Sequence, residues 1–235
     1  NAMKLKAGVM APTEEARVLE LCRERLGDDF GLRIDPNGVW SVPTAVKIGK
    51  RLEELGIEYF EDPSWGLNGN AEVRKQIRIP IATNMYPARF DDLAPAIKLN
   101  AIDIVLTDIH YWEGPKGVKD LVAVCNTVTL GVAMHSGADV GLVRAARIQT
   151  AATIPTMTFA GDAHYHYLTD DIIEGGLMKY ENGCIKVPTG PGLGVTLDED
   201  KMKFYEKYYE EKGDYYARFH QDPYQPDWYP TVGGI

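Results

Sequence analysis

Apolar and polar positions follow two alternating patterns along this chain. Short runs of β-branched and other apolar residues predict buried strands, and stretches with apolar residues three or four positions apart predict amphipathic helices. Helices are predicted over residues 14–26, 43–55 and 198–212, among others. Strands that alternate with helices indicate βα units that build a parallel sheet. Seven strands are predicted, over residues 4–7, 31–35, 57–61, 79–84, 102–108, 129–135 and 157–162.

A polar residue stands at or near the carboxyl end of each predicted strand. A parallel strand that is buried on both faces should be apolar throughout, so a repeated ionisable group at its end needs a reason. In a (β/α) barrel these ends converge on one mouth, where active sites are built. The sequence therefore predicts an α/β fold of the TIM-barrel type. The residues expected around its mouth are Lys6, Asp35, Glu61, Asn84, Asp108, His135 and Asp162.

Three consecutive strand ends offer only oxygen ligands, from Asp35, Glu61 and Asn84. Such a set suits a hard cation, Mg²⁺ or else Mn²⁺, and disfavours zinc. Each residue taken singly could instead cap a helix or a turn. Their positions at neighbouring strand ends favour a metal site.

Two further pairs are candidates for proton transfer. Lys4 and Lys6 are two positions apart on one strand and therefore point to the same face. Lysines in a barrel interior need carboxylate partners or a function, whereas a solvated first strand is the alternative. Asp108 and His135 end neighbouring strands, which suits a general acid/base pair with the carboxylate bound to one imidazole nitrogen. His110 is either another member of this site or a loop residue.

Composition excludes several classes of function. The 235 residues suffice for one barrel-sized domain, and 45% hydrophobic residues are ordinary for a soluble protein. A net charge of −9 argues against a nucleic-acid partner. Neither an apolar run of membrane-spanning length nor a secretory leader is seen, so a cytoplasmic location is expected. Cys22, Cys125 and Cys184 fit neither a disulfide framework nor a zinc site.

Several ordered motifs resemble the enolase superfamily of the mandelate racemase and muconate lactonizing enzyme type, specifically glucarate dehydratases. They lie in residues 4–9, 34–41, 81–85 and 190–195. The resemblance implies that Asp35, Glu61 and Asn84 bind Mg²⁺. It also implies that Lys6 is one base and that His135, paired with Asp108, is the other. The implied substrate contacts are Lys4, Asn37, His164 and Arg218, the last on the distal carboxylate of a diacid.

The activity that this resemblance implies is the dehydration of an acid sugar, a glucarate-like aldarate or aldonate. The proton α to a carboxylate is removed, the metal ion stabilises the enediolate, and loss of the β-hydroxyl gives a keto-deoxy acid. An epimerase or racemase of the same superfamily is the alternative. Gly137 stands two positions after His135, where glucarate dehydratases usually carry asparagine, which leaves the particular acid sugar open.

Superfamily members place an α+β capping domain and a first barrel strand before the Lys-x-Lys strand, and this sequence has neither. Residues 3–185 are thus expected to form strands two to eight of the barrel, and residues 186–235 an extension that packs on the same domain. The unpaired sheet edges predict a homo-oligomer or association with a missing N-terminal segment. We expect little activity from the chain alone, and a non-catalytic fragment that needs a partner chain is a third alternative.

Overall fold

The computed structural model of the chain describes residues 2–137 and 139–213. These residues divide into two compact units. The sheet unit comprises residues 2–135 and 154–161, and the C-terminal unit comprises the described residues within 136–153 and 162–213. The predicted substrate contact Arg218 lies outside the described residues.

The sheet unit consists of βα units around one parallel sheet. Its six strands follow chain order, β1-β2-β3-β4-β5-β6, and every neighbouring pair is parallel. This arrangement is a half-barrel of the TIM type, as the alternation of patterns predicts. The elements are β1 (Ala2–Lys6), α1 (Pro12–Leu26), β2 (Gly31–Asp35), α2 (Val42–Leu52), β3 (Tyr59–Glu61), α3 (Gly66–Arg74), β4 (Ile81–Thr83), α4 (Phe90–Leu99), β5 (Ile104–Thr107), α5 (Gly114–Thr127) and β6 (Gly131–Met134).

Local hydrogen bonds and backbone conformation determine the two ends of α2. The Ser41 hydroxyl accepts a hydrogen bond from the backbone N–H of Thr44 at 3.3 Å, which caps the first turn of α2. The prediction extends α2 to residue 55, but its last turn, Glu53–Leu55, is a 3-10 helix. Gly56 ends this turn with a positive φ of 59°, a conformation that glycine adopts at little cost.

The seventh predicted strand does not form, and residues 157–162 are irregular. A strand needs consecutive backbone hydrogen bonds to a neighbour. Here the carbonyl oxygen of Ala160 instead accepts a hydrogen bond from the side chain of Arg33, at 2.7 Å. Phe159 packs edge-on against Tyr59, with ring centroids 5.7 Å apart. Side-chain contacts therefore hold residues 159 and 160 to the sheet unit where backbone pairing was expected.

The sheet buries both of its faces. On the face that carries Tyr59, strand register places Ala82 opposite Ile104 and Leu106 opposite Ala133. These five side chains form one buried cluster, on which Phe159 packs. Side chains of the opposite face are also buried, namely Leu32, Ile34, Phe60, Ile81, Val105 and Val132. We call the face with Tyr59 the inner face.

The C-terminal unit contains one long helix from each of its segments and a short hairpin. α6 spans Gly141–Ala152, and the strands β7 (Tyr180–Glu181) and β8 (Cys184–Ile185) pair antiparallel. α7 spans Glu199–Lys212, one residue shorter than predicted, because Asp198 is its N-cap and accepts from the N–H of Lys201 at 3.0 Å. None of the described helices is long and apolar enough to cross a membrane.

Glu15 fixes the loop that follows β1. Its Oε2 accepts the backbone N–H of Gly8, and its Oε1 accepts those of Val9 and Met10, all at 2.9 Å. The side chain is almost completely buried at the start of α1. One carboxylate therefore satisfies three consecutive backbone donors directly after the lysine strand.

Replacement of Glu15 by alanine should lower the free energy of unfolding by about 2 kcal/mol, because three backbone N–H groups lose the buried carboxylate that accepts from them. Urea unfolding followed by circular dichroism measures this change. Glu14→Ala is the matched control, since Glu14 is exposed in the same helical turn, and it should stay within about 0.5 kcal/mol of the parent. Equal stability of the two variants would contradict the assigned role of Glu15.

Candidate active site

Strand register brings six predicted site residues to the inner face of the sheet unit. Lys6 lies opposite Asp35, and Glu61 lies opposite Ala82. Because side chains alternate along a strand, residues two positions apart share a face. Asn84 therefore shares the face of Ala82, Asp108 that of Leu106, and His135 that of Ala133. The six residues stand at or just beyond the carboxyl ends of β1 to β6.

The two lysines of β1 lie against the carboxylates of β2 and β3. Lys4 Nζ is 2.8 Å from Glu61 Oε2 and 3.9 Å from Asp35 Oδ2. Lys6 Nζ donates to Asp35 Oδ2, and it lies 3.2 Å from Asn37 Oδ1. The Lys4 side chain is 9% exposed and that of Lys6 is 41% exposed. Both lysines thus face inward, and Lys6 is the more accessible of the two.

A tight turn after β2 orients Asp35. Its Oδ1 accepts the backbone N–H of Asn37 at 2.8 Å. Asn37 has a φ of 51°, a left-handed conformation that asparagine tolerates better than most residues. The next N–H, that of Gly38, donates to the carbonyl of Asp62 at 2.7 Å. The turns after β2 and β3 are therefore tied together beside the predicted metal ligands.

Asp62 is a buried carboxyl that the sequence analysis did not single out. It accepts hydrogen bonds from the Thr83 hydroxyl at 2.5 Å and from the Asn84 backbone N–H at 3.1 Å. Burial, together with the negative charge of Asp35, raises the pKa of Asp62 to about 7. The signal available in the sequence was its place directly after Glu61. Its contacts fix the backbone from which the Asn84 side chain projects.

The predicted metal ligands have the burial and the oxygen atoms that a hard cation requires. Asp35 and Glu61 are completely buried. The side-chain oxygen Oδ1 of Asn84 is also buried, and no hydrogen-bond donor reaches it within the described residues. A buried amide oxygen without a donor is costly unless another electropositive partner binds there. Two carboxylates and an amide oxygen are ligands that Mg²⁺ accepts, so the residues fit this ion.

Across the described part of the chain, no group of three or more His, Cys, Asp or Glu side chains has an arrangement that could hold a metal ion. The predicted set contains two such residues and one amide. Its support therefore comes from the Asn84 oxygen and from the burial of Asp35 and Glu61.

Asp108 and His135 form a close pair at the ends of β5 and β6. The Nδ1 atom of His135 lies 2.8 Å from Oδ2 of Asp108. The backbone N–H of His135 also donates to the carbonyl of Thr107 at 2.8 Å, which continues the strand ladder to the histidine. The side chains of Asp108 and His135 are 3% and 13% exposed. Proton exchange at His135 would then use Nε2, because Nδ1 is engaged with the carboxylate.

Four other predicted residues have different outcomes. Asn37 lies beside Lys6, as described above. His164 and Asp162 belong to the C-terminal unit, where His164 Nδ1 lies 2.7 Å from the carbonyl oxygen of Ser136. The expectation that Asp162 ends a seventh strand is wrong, because residues 157–162 form none. Substrate contact by His164 and Arg218 stays a prediction.

A parallel half-barrel of this kind occurs in a known family of enzymes. Residues 1–201 match the family of enolase C-terminal domain-like proteins. The chain belongs to this family, which confirms the resemblance to the enolase superfamily.

Individual relatives show how far the similarity extends. The chain is 38% identical over 204 residues to a probable glucarate dehydratase of Streptomyces coelicolor, covering 87% of this chain and 47% of that protein. An isomerase structure from Streptomyces coelicolor superposes with a TM-score of 0.86 and 43% identity, covering 91% of this chain and 57% of that one. The structure of an enolase from Pseudomonas fluorescens with bound magnesium, potassium and tartrate superposes with a TM-score of 0.89 and 35% identity, covering 97% of this chain and 54% of that one. The chain thus spans about half the length of these relatives.

Loss of a metal ligand should weaken the binding of Mn²⁺, used as a spectroscopic substitute for Mg²⁺. Asp35→Asn and Asn84→Ala should each raise the Kd by more than about tenfold, since even outer partners of ligands contribute that much. Electron paramagnetic resonance of the free ion measures the Kd. The control is Asp28→Asn, which removes the same charge from an exposed site. If all three variants bind Mn²⁺ as the parent does, the assigned ligand set is wrong.

Proposed function

We propose that the chain provides the metal-binding and proton-transfer groups of a Mg²⁺-dependent lyase that dehydrates an acid sugar. The substrate class is a glucarate-like aldarate or aldonate. The similarity to a probable glucarate dehydratase supports the reaction class, and the similarity to an enolase with bound magnesium and tartrate supports an acidic substrate and the metal. Since the chain covers about half of each relative, the proposal concerns the chemistry of the inner face.

The observation that carries this proposal is the shared inner face of Lys6 and the Asp108–His135 pair. Lys6 ends β1, the pair follows β5 and β6, and the oxygen ligands belong to β2, β3 and β4, which lie between them in the sheet. Two proton-transfer groups at the two edges of one sheet, with cation ligands between them, suit the removal of a proton beside a carboxylate.

Each group of the inner face would have a separate role in this reaction. When bound by Asp35, Glu61 and Asn84, Mg²⁺ would supply positive charge that makes the proton α to a carboxylate more acidic. Lys4, which is nearly buried, adds a second positive charge to the same region. Lys6 at Nζ or His135 at Nε2 takes the α-proton, depending on substrate stereochemistry.

The elimination also requires an acid. The β-hydroxyl leaves with a proton as water, and His135, when protonated at Nε2, can supply that proton. The resulting enol gains a proton at carbon and loses its O–H proton as it becomes the keto acid, so the net change is the loss of one water and atoms and charge balance. Asp108 holds His135 in position and stabilises its protonated form.

An isomerisation is the second candidate function, and the 43% identity to an isomerase structure supports it. An epimerase or racemase would use the same two groups, one to remove the α-proton and the other to return a proton to the opposite face. The hydroxyl groups then stay in place. A third candidate function is that of a non-catalytic fragment. In that case the chain would bind a second copy of itself or an N-terminal segment.

Keto acid formation from a panel of aldarates and aldonates tests the dehydratase proposal. The chain is assayed in deuterated water with Mg²⁺ and with excess chelator, alone and with the N-terminal half of the Streptomyces coelicolor relative added. A substrate of the panel should yield a keto-deoxy acid only with Mg²⁺. Lys6→Met or His135→Asn should slow turnover by about 10²–10⁴-fold, as expected for a proton-transfer group.

Lys119→Met is the control, because Lys119 is an exposed lysine on α5 and should leave turnover unchanged. Deuterium at the α-carbon with all hydroxyls intact would instead establish an epimerase. Absence of any reaction in both formats, together with normal Mn²⁺ binding, would reject catalysis and favour the fragment.

A further inference from the structure

His110 lies two residues after Asp108, in the turn that follows β5, and its side chain is 52% exposed. Its backbone N–H donates to Asp108 Oδ1 at 2.8 Å, and its ring Nδ1 lies 3.0 Å from the same oxygen. With Asp108 ionised, Nδ1 of His110 is the donor of this contact, because a carboxylate only accepts hydrogen bonds. Both donors of His110 therefore converge on one carboxylate oxygen.

The other oxygen of Asp108 serves the second imidazole. Oδ2 lies 2.8 Å from Nδ1 of His135. A carboxylate as deeply buried as that of Asp108 persists because hydrogen-bond donors replace its hydration. The carboxylate is thus held between two histidines, the half-exposed His110 on Oδ1 and the mostly buried His135 on Oδ2.

The turn itself is fixed by further contacts. The backbone N–H groups of Tyr111 and Trp112 both donate to the carbonyl of Asp108, at 3.2 and 3.0 Å. Trp112 is buried and packs edge-on against Phe90, with ring centroids 5.2 Å apart. The backbone therefore determines where the imidazole of His110 lies relative to the carboxylate.

We propose that His110 is a positioning residue for the Asp108–His135 pair. By holding Oδ1, it sets the rotation of the carboxylate and directs Oδ2 at Nδ1 of His135. A carboxylate in this orientation keeps the hydrogen of His135 on Nδ1 and reserves Nε2 for proton transfer. The kinetic part of this inference rests on the proposed function, whereas the tautomer of His135 is a property of the chain itself.

Three substitutions separate this role from a structural one. His110→Phe keeps a ring but removes the donor, and His110→Asn places an amide N–H close to the position of Nδ1. Tyr111→Ala is the control in the same turn, since the Tyr111 side chain is 53% exposed. The ¹⁵N shifts of His135, read by NMR spectroscopy, report its tautomer in each variant without any substrate.

In His110→Phe, His135 should become a mixture of both tautomers, and kcat should fall by about tenfold with KM changed less than about twofold. His110→Asn and Tyr111→Ala should keep the tautomer of the parent and a kcat within about threefold of it. If the panel of acid sugars is not turned over, the proposed function fails and the ¹⁵N shifts still test the role of His110.

An unchanged tautomer in His110→Phe would overturn the proposal. Loss of the parent tautomer in His110→Asn to the same degree as in His110→Phe would overturn it as well, because the amide donor should rescue the pair. If His110→Phe does not fold, His110→Ala replaces it. The tautomer of His135 in His110→Asn is then compared with that in Tyr111→Ala, and the two should agree.

Discussion

Four charged side chains on the inner face, Lys4, Lys6, Asp35 and Glu61, lie close enough to compensate one another. Both carboxylates are completely buried, and a buried charge without an opposite partner would cost several kcal/mol. The compensation allows the first three strands to end in ionisable groups without leaving the core. The position of every other inner-face group then follows from strand order, because each later strand pairs in register with the one before it.

The register of the strands divides the inner face into an apolar part and a polar part. Nearer the amino ends of their strands, Tyr59, Ala82 and Leu106 are buried together. Toward the carboxyl ends, charged and amide groups take over at positions two residues further along. The apolar cluster fixes the strands, and the polar groups are positioned by that rigid support. The Asp108–His135 pair shows the result, since its hydrogen bond joins two neighbouring strands.

Much of this arrangement was predictable from the sequence. Strand ends and candidate site residues follow from period-two geometry and from the βα repeat, which predict Lys6, Asp35 and His135 at strand ends. The seventh strand was not predictable, since an apolar run does not reveal whether a backbone partner exists. Arg33 shows a related difficulty. Its side chain is buried because Arg33 Nε lies 2.6 Å from Glu58 Oε2 and the guanidinium lies over the Tyr59 ring. Both partners belong to the neighbouring strand β3 or directly precede it.

The hydrogen bonds within turns could not be predicted from the sequence either. Asp62 and His110 make their hydrogen bonds in the turns after β3 and β5. Residue type alone does not determine the backbone conformation of those turns. The central claim, that Asp35, Glu61 and Asn84 form one cation site, is tested most directly by a crystal structure of the chain with Mn²⁺ and its anomalous scattering. One peak is expected, about 2.1 Å from oxygens of all three side chains. A strong peak at other ligands, with these three side chains ordered and no ion between them, would contradict it.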